Sequence, residues 1–65
     1  MKEVILAGRR EKGLTQQALA DLVGVKQSTV CLWETGQCNP SVPTIKKLSE
    51  VLDIPIEDFF KTEAV

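Results

Sequence analysis

The chain has 65 residues, 43% of them hydrophobic and 26% charged, with a net charge of −1. This length suits one domain over residues 1–65 with a small core, which argues against a large catalytic cleft, and the composition argues against a disordered or fibrous chain. The charge is uneven, because residues 1–47 carry seven cations and four anions (net +3) whereas residues 48–65 carry one cation and five anions (net −4). One face can therefore suit an anionic partner although the chain as a whole is slightly acidic.

The sequence lacks the residues of several familiar catalytic and metal sites. It has no histidine, and its two cysteines, Cys31 and Cys38, are too few for a four-ligand zinc site or a disulfide scaffold, so we expect free thiols. It also lacks nucleophile-elbow and phosphate-loop motifs. The apolar run 4–7 stops at Gly8, too early for a signal peptide or a membrane span. We expect a cytoplasmic protein that is not an enzyme, with no metal, cofactor, small-molecule ligand or membrane attachment.

Turn-forming residues recur at short intervals, a pattern typical of short helices joined by tight turns. The first helix is predicted over residues 2–12, before Gly13, with cations in its last turns where they suit the helix dipole. Gly8 inside it costs about 1 kcal/mol relative to alanine. We therefore expect either that this helix frays or that another backbone passes close to the glycine.

The next two predicted helices are separated by only three residues. Thr15 can accept a backbone N–H at the start of a helix over residues 16–23, and Gly24 suits the left-handed residue that ends it. A third helix is predicted over residues 27–35 and ends at Gly36. Two short helices joined by a tight turn form a helix-turn-helix.

Two further helices complete the prediction. The fourth covers residues 42–52 after Ser41, which we expect to cap it, and the fifth covers residues 55–61 with Pro55 in its first position. No stretch alternates with period two for long enough to form a strand. The predicted fold class is all-α, with five short helices.

Three segments carry a resemblance to a known family. Residues 14–20 (LTQQALA), 24–25 (GV) and 33–36 (WETG) resemble the Cro/cI-type, or XRE-type, repressors, and the similarity extends over about residues 4–60. It implies a lambda-repressor-like DNA-binding domain, usually of a dimeric transcription regulator whose third helix enters the major groove. The family commonly carries arginine or lysine in the third helix and the loop after it, and this chain does not, so we expect few phosphate contacts there.

The third helix is predicted to present one face to DNA. A helical wheel that turns Val30 and Trp33 to the core leaves an opposite side able to contact base edges, since an apolar side chain can meet a thymine methyl and glutamine can pair with adenine. Helix starts and the following loop can hold phosphates, although turn formation explains Asn39 equally well, and Gln16 joins the set only through the resemblance. The predicted DNA-contacting residues are Gln16, Lys26, Gln27, Ser28, Cys31, Leu32, Thr35, Gln37 and Asn39.

Two further sites are predicted away from the base edges. The resemblance implies an ion pair between Arg9 and Glu34 that joins the first and third helices. The last segment holds more apolar bulk than a short helix needs for docking, and burying the surplus in a two-fold interface would stabilise so short a chain. The predicted dimer-interface residues are Ile54, Ile56, Phe59 and Phe60. Leu22 is left open, either as part of the core or as an exposed side chain.

The predicted function is transcription regulation, most simply repression, by a homodimer that binds a roughly palindromic DNA operator with one third helix per half-site. Two alternatives stay open. One is an antitoxin-like regulator that acts with a protein partner. The other is a protein-interaction module that keeps the fold without DNA binding, and selection of duplexes from a random pool distinguishes it from the regulators.

Overall fold

A computed structural model describes residues 1–60. These residues form five helices and no strand, which confirms the predicted all-α class. The helices are α1 (Lys2–Glu11), α2 (Gln16–Val23), α3 (Gln27–Thr35), α4 (Val42–Leu52) and α5 (Ile56–Phe59). None of them, within the described range, is long and apolar enough to cross a membrane.

Local capping explains where α2 and α3 begin and end. Thr15 accepts a hydrogen bond from the Ala18 N–H at 3.0 Å and so caps α2, as predicted. Gly24 ends α2 at φ 85° and Gly36 ends α3 at φ 84°, both in the left-handed region that favours glycine. The bounds predicted for these two helices are confirmed.

The starts of α4 and α5 differ from the prediction. Ser41 precedes α4, but its hydroxyl is hydrogen-bonded to the Thr44 hydroxyl at 2.9 Å and accepts no backbone N–H. Pro55 lies before α5 with extended backbone, at φ −56° and ψ 139°, so α5 is shorter than the predicted segment 55–61. Lys61, the predicted end of that segment, lies outside the described residues.

The core is formed by one face of every helix. Trp33 is 4% exposed and belongs to this core, whereas Leu22 is 58% exposed and lies outside it. The buried apolar residues are Ile5, Leu19, Ala20, Val23, Val30, Trp33, Ile45, Leu48, Leu52 and Phe59. Since they come from all five helices, the position of α3 is fixed by packing against the rest of the domain.

Gly8 is where α1 meets the chain between α4 and α5. A Cβ built on Gly8 would lie 2.7 Å from Ile54 Cδ1 and 3.1 Å from Leu52 Cδ1, too close for either side chain to stay in place. The helix is continuous through Gly8, and side chains approach it where the sequence had suggested fraying or a passing backbone. The glycine therefore lets Leu52 and Ile54 pack directly on α1.

Candidate nucleic-acid interface

The turn between α2 and α3 holds the two helices at a fixed angle. The Gly24 and Val25 N–H groups both donate to the Ala20 carbonyl, at 2.8 and 3.0 Å, and Ala20 is fully buried. Val23 from α2 and Val30 from α3 are also buried in the shared core. The first residue of α3 therefore has a defined position relative to the first residue of α2.

A chain of side-chain hydrogen bonds joins the starts of these two helices. Gln27, the first residue of α3, donates from Nε2 to Gln16 Oε1 at 2.5 Å. Gln16, the first residue of α2, donates from its own Nε2 to Glu34 Oε1 at 2.9 Å. Glu34 in turn accepts from Arg9 Nε at 2.6 Å and from Arg9 Nη2 at 3.2 Å. The exposed Gln27 amide is thereby tied, through three side chains, to α1.

The ion pair between Arg9 and Glu34 fixes the inner end of this series of hydrogen bonds. The Glu34 side chain is 6% exposed and the Arg9 side chain 15%, and Arg9 also donates from Nη1 to the Leu14 carbonyl at 2.8 Å. Burial raises the pKa of Glu34, but hydrogen bonds from Arg9 and Gln16 and the positive charge of Arg9 outweigh it, so the pKa lies below its ordinary value. Glu34 is thus a carboxylate at neutral pH. The geometry agrees with the ion pair implied by the family resemblance.

The side of α3 opposite the core is less exposed than its sequence suggested. Gln27, Ser28 and Thr35 are exposed, but Cys31 and Leu32 are only half-buried rather than fully solvent-facing. Each of these two side chains therefore presents only part of its surface to a partner. The Thr35 hydroxyl also donates to the Leu32 carbonyl at 3.2 Å, back into its own helix.

The remaining predicted contact residues flank this face. Lys26, directly before α3, is exposed, and its side chain caps no backbone group. Gln37 and Asn39 are exposed in the loop after α3, which we call the 36–39 loop. The Gln37 and Cys38 N–H groups both donate to the Leu32 carbonyl, at 3.0 and 3.3 Å. The polar groups that this loop offers to a ligand are therefore mainly side chains.

The predicted dimer-interface residues fall into two groups. Phe60 is 53% exposed, and Ile54 and Ile56 are half-buried, so these three offer apolar surface. Phe59 is 1% exposed and packs in the core of its own chain, so including it among residues that face a second copy was wrong. Its ring holds α5 in place instead, because α5 is a single turn and needs one deeply buried side chain to dock.

Sequence reasoning missed two parts of this surface. It named Gln16 and Gln27 as separate contacts, although their places at the first residues of adjacent helices could have indicated that they meet. It also overlooked Lys2. A Cβ on Gly36 would lie 3.1 Å from Lys2 Cδ and 3.6 Å from its Nζ, so this side chain runs over the end of α3. No short-range pattern indicates that contact, which joins residues far apart in the sequence.

The fold and this surface together define a helix-turn-helix DNA-binding domain. The helix-turn-helix family model matches residues 5–59, nearly the whole of the described chain. The chain therefore belongs to the XRE-type, or Cro/cI-type, helix-turn-helix family of DNA-binding transcription regulators.

Similar proteins support the same assignment. An uncharacterized HTH-type transcriptional regulator of Archaeoglobus fulgidus is 38% identical over 60 residues, covering 92% of this chain and 86% of its own. The restriction-modification controller protein C.AhdI from Aeromonas hydrophila superimposes with a TM-score of 0.81 at 39% identity, covering 91% of this chain and 86% of its own. The DNA-binding domain of the P22 c2 repressor gives a TM-score of 0.86 at 26% identity, over 98% and 84%.

Proposed function

We propose that this protein represses transcription by binding a palindromic DNA operator as a homodimer, with α3 of each copy in the major groove of one half-site. The observation that carries the proposal is the hydrogen-bond chain from Gln27 through Gln16 and Glu34 to Arg9. A glutamine that binds nothing gains little from hydrogen bonds that fix the orientation of its amide. A glutamine that pairs with a base edge must hold its amide in one orientation, and these hydrogen bonds do that.

The fixed amide of Gln27 suits adenine. A glutamine amide has two N–H donors and one acceptor oxygen, and Gln27 uses one donor on Gln16. Its second N–H and its Oε1 can then pair with adenine N7 and N6 in the major groove. Ser28 and the half-buried Leu32 lie on the same helix, where a hydroxyl can meet either kind of base-edge group and an apolar edge can meet a thymine methyl.

The residues around this face would set the register on the duplex. Lys26 can contact phosphate as a point charge, and Gln16 can do so from the start of α2, where backbone N–H groups also face an anion. Gln37 and Asn39 would donate to phosphate from the 36–39 loop. Cys31 and Thr35 would lie beside the base-reading residues Gln27, Ser28 and Leu32 and would not themselves distinguish one base from another.

Dimerisation would proceed through the α5 end. Phe60 is the most exposed apolar side chain there, and Ile54 and Ile56, which pack in part against the core, are half-buried. A two-fold contact between copies would cover what these three leave exposed. A palindromic operator needs the two α3 helices about 34 Å apart, one turn of duplex. Sedimentation should show a concentration-dependent dimer that Phe60→Glu weakens. Leu22→Glu is the matched control, since Leu22 is similarly exposed but lies on α2.

Selection of duplexes from a random pool by the purified protein tests the proposal. We expect enrichment of a palindromic site, and we expect this site, placed over a promoter in a reporter, to lower transcription when the protein is present. A lack of enrichment even at low salt would contradict DNA recognition, and a rise in transcription would contradict repression. A strictly monomeric protein that binds the palindrome with one-site behaviour would contradict the homodimer.

A further inference from the structure

The side chain of Lys2 lies over the end of α3. Lys2 is the first residue of α1 and is exposed, yet its aliphatic part packs beside Gly36, close enough that a Cβ there would lie 3.1 Å from Lys2 Cδ. Its Nζ would be 3.6 Å from the same Cβ position. The absence of a side chain on Gly36 therefore has two effects. It permits the left-handed φ of 84°, and it leaves room for the Lys2 side chain.

The 36–39 loop has little of its own with which to hold a phosphate. Gly36, Gln37, Cys38 and Asn39 carry no charge. The N–H groups of Gln37 and Cys38 are directed to the Leu32 carbonyl, as the close of α3 requires. A phosphate beside this loop would meet only neutral donors from the loop itself, and the binding free energy that comes from counterion release needs a cation.

We propose that Lys2 is a phosphate-binding residue of the DNA interface, and that it supplies from α1 the positive charge that the 36–39 loop lacks. This inference rests on the proposed function, since it takes Gln37 and Asn39 to lie beside the DNA backbone. Phosphate in the duplex would then meet the Lys2 ammonium together with the side-chain amides of Gln37 and Asn39. The contact joins α1 directly to DNA, in addition to its indirect link through Arg9.

The competing explanation is a purely structural one. A cation near the carboxyl end of a helix stabilises that helix through its dipole, and Lys2 lies near the end of α3. The two roles make different predictions. A structural lysine affects thermal stability in the absence of DNA, whereas a phosphate-binding lysine affects the dependence of DNA binding on salt.

The experiment measures the affinity of the 65-residue chain for the selected duplex over a series of salt concentrations. Loss of one phosphate contact per copy should make the slope of log affinity against log salt shallower by about 0.9, and by about 1.8 for a dimer on two half-sites. We expect this change in Lys2→Gln and a wild-type slope in Lys2→Arg. Lys12→Gln is the control, since it removes the same charge from the other end of α1, where Lys12 Nζ lies 3.7 Å from an Asp53 carboxylate oxygen.

Each outcome is decisive. A shallower slope in Lys2→Gln but not in Lys12→Gln supports the proposal whether or not the melting temperature also falls, because the slope is measured on folded protein. An unchanged slope, or an equal change in both variants, overturns it while leaving the proposed function intact, because the wild-type protein still binds its site. If the wild-type protein enriches no duplex at all, both the proposed function and the role of Lys2 fail together.

Discussion

Replacing Arg9 with methionine would leave the Glu34 carboxylate buried without its cation. The long apolar stem of arginine is largely kept in methionine, so the change removes mainly the charge and the hydrogen bonds. Glu34 would lose two hydrogen bonds, at 2.6 and 3.2 Å, and the Leu14 carbonyl would lose one at 2.8 Å. With side chains 6% and 15% exposed, the pair is close to the buried limit. We expect the free energy of unfolding to fall by about 3 kcal/mol, well beyond the 0–1 kcal/mol of an exposed pair.

Urea denaturation at neutral pH measures this loss, and a second substitution separates its causes. In a Glu34→Gln background, Arg9→Met leaves no carboxylate without its cation and instead removes an arginine that has already lost its anion, so it should then cost less than about 1 kcal/mol. The Arg9→Met protein should also bind the operator more weakly than its folded fraction accounts for, because Gln16 and Gln27 lose their anchored partner. A loss of under 1 kcal/mol in the single variant, with no coupling between the two sites, would refute the argument that this pair organises the surface.

Three other perturbations test separate parts of the structure. The pKa of Glu34 is lower in the folded than in the unfolded chain, so its stabilising contribution is present above the unfolded-state pKa and is lost as pH falls through the folded value. The fall in stability on acid titration should therefore be less steep in Glu34→Gln. Asp53 ends α4 at φ 61°, a conformation that favours glycine, and its ion pair with Lys12 is exposed and therefore weak. Asp53→Gly should raise the free energy of unfolding by about 0.5 kcal/mol. A lower melting temperature in this variant would contradict the prediction. In a Cys38→Ser background, modification of Cys31 with a bulky thiol reagent should abolish operator binding, and bound operator should slow the modification. Cys31→Ser should retain affinity for the operator. If Cys31 does not react in the DNA-free protein, this face of α3 is assigned wrongly.

The helix-turn-helix was predictable from sequence because its signals are local. Thr15, Gly24 and Gly36 cap or end helices through contacts within four residues, so their identities alone locate α2 and α3. The same local reasoning failed at α5, where Pro55 can stand either inside the first turn or just before it. In the structure Pro55 precedes the helix, and the single turn that follows it contains the buried Phe59.

The parts of the site that sequence did not predict depend on distant contacts. Gln16 is hydrogen-bonded to Glu34, 18 residues away in the sequence, and to Gln27, 11 residues away. Lys2 packs beside Gly36, which is also distant in the sequence. A helical wheel gives the direction of a side chain but not the extent of its exposure, so it treated Leu32 as exposed although the side chain is half-buried. Side-chain direction and partial burial follow from tertiary packing, which one helix considered alone does not contain.

Base reading by Gln27 is tested by comparing the base preferences of two variants with those of the wild-type protein. Duplexes are selected from a random pool by the wild-type protein, by Gln27→Ala and by Lys26→Ala, and the enriched sites are compared position by position. We expect Gln27→Ala to lose preference at one base pair of each half-site, at a cost of about 1–3 kcal/mol on the wild-type operator, while Lys26→Ala weakens all sequences alike. If both variants keep the wild-type base preferences and merely bind more weakly, Gln27 does not read a base, and the hydrogen-bond chain through Gln16, Glu34 and Arg9 does not serve recognition.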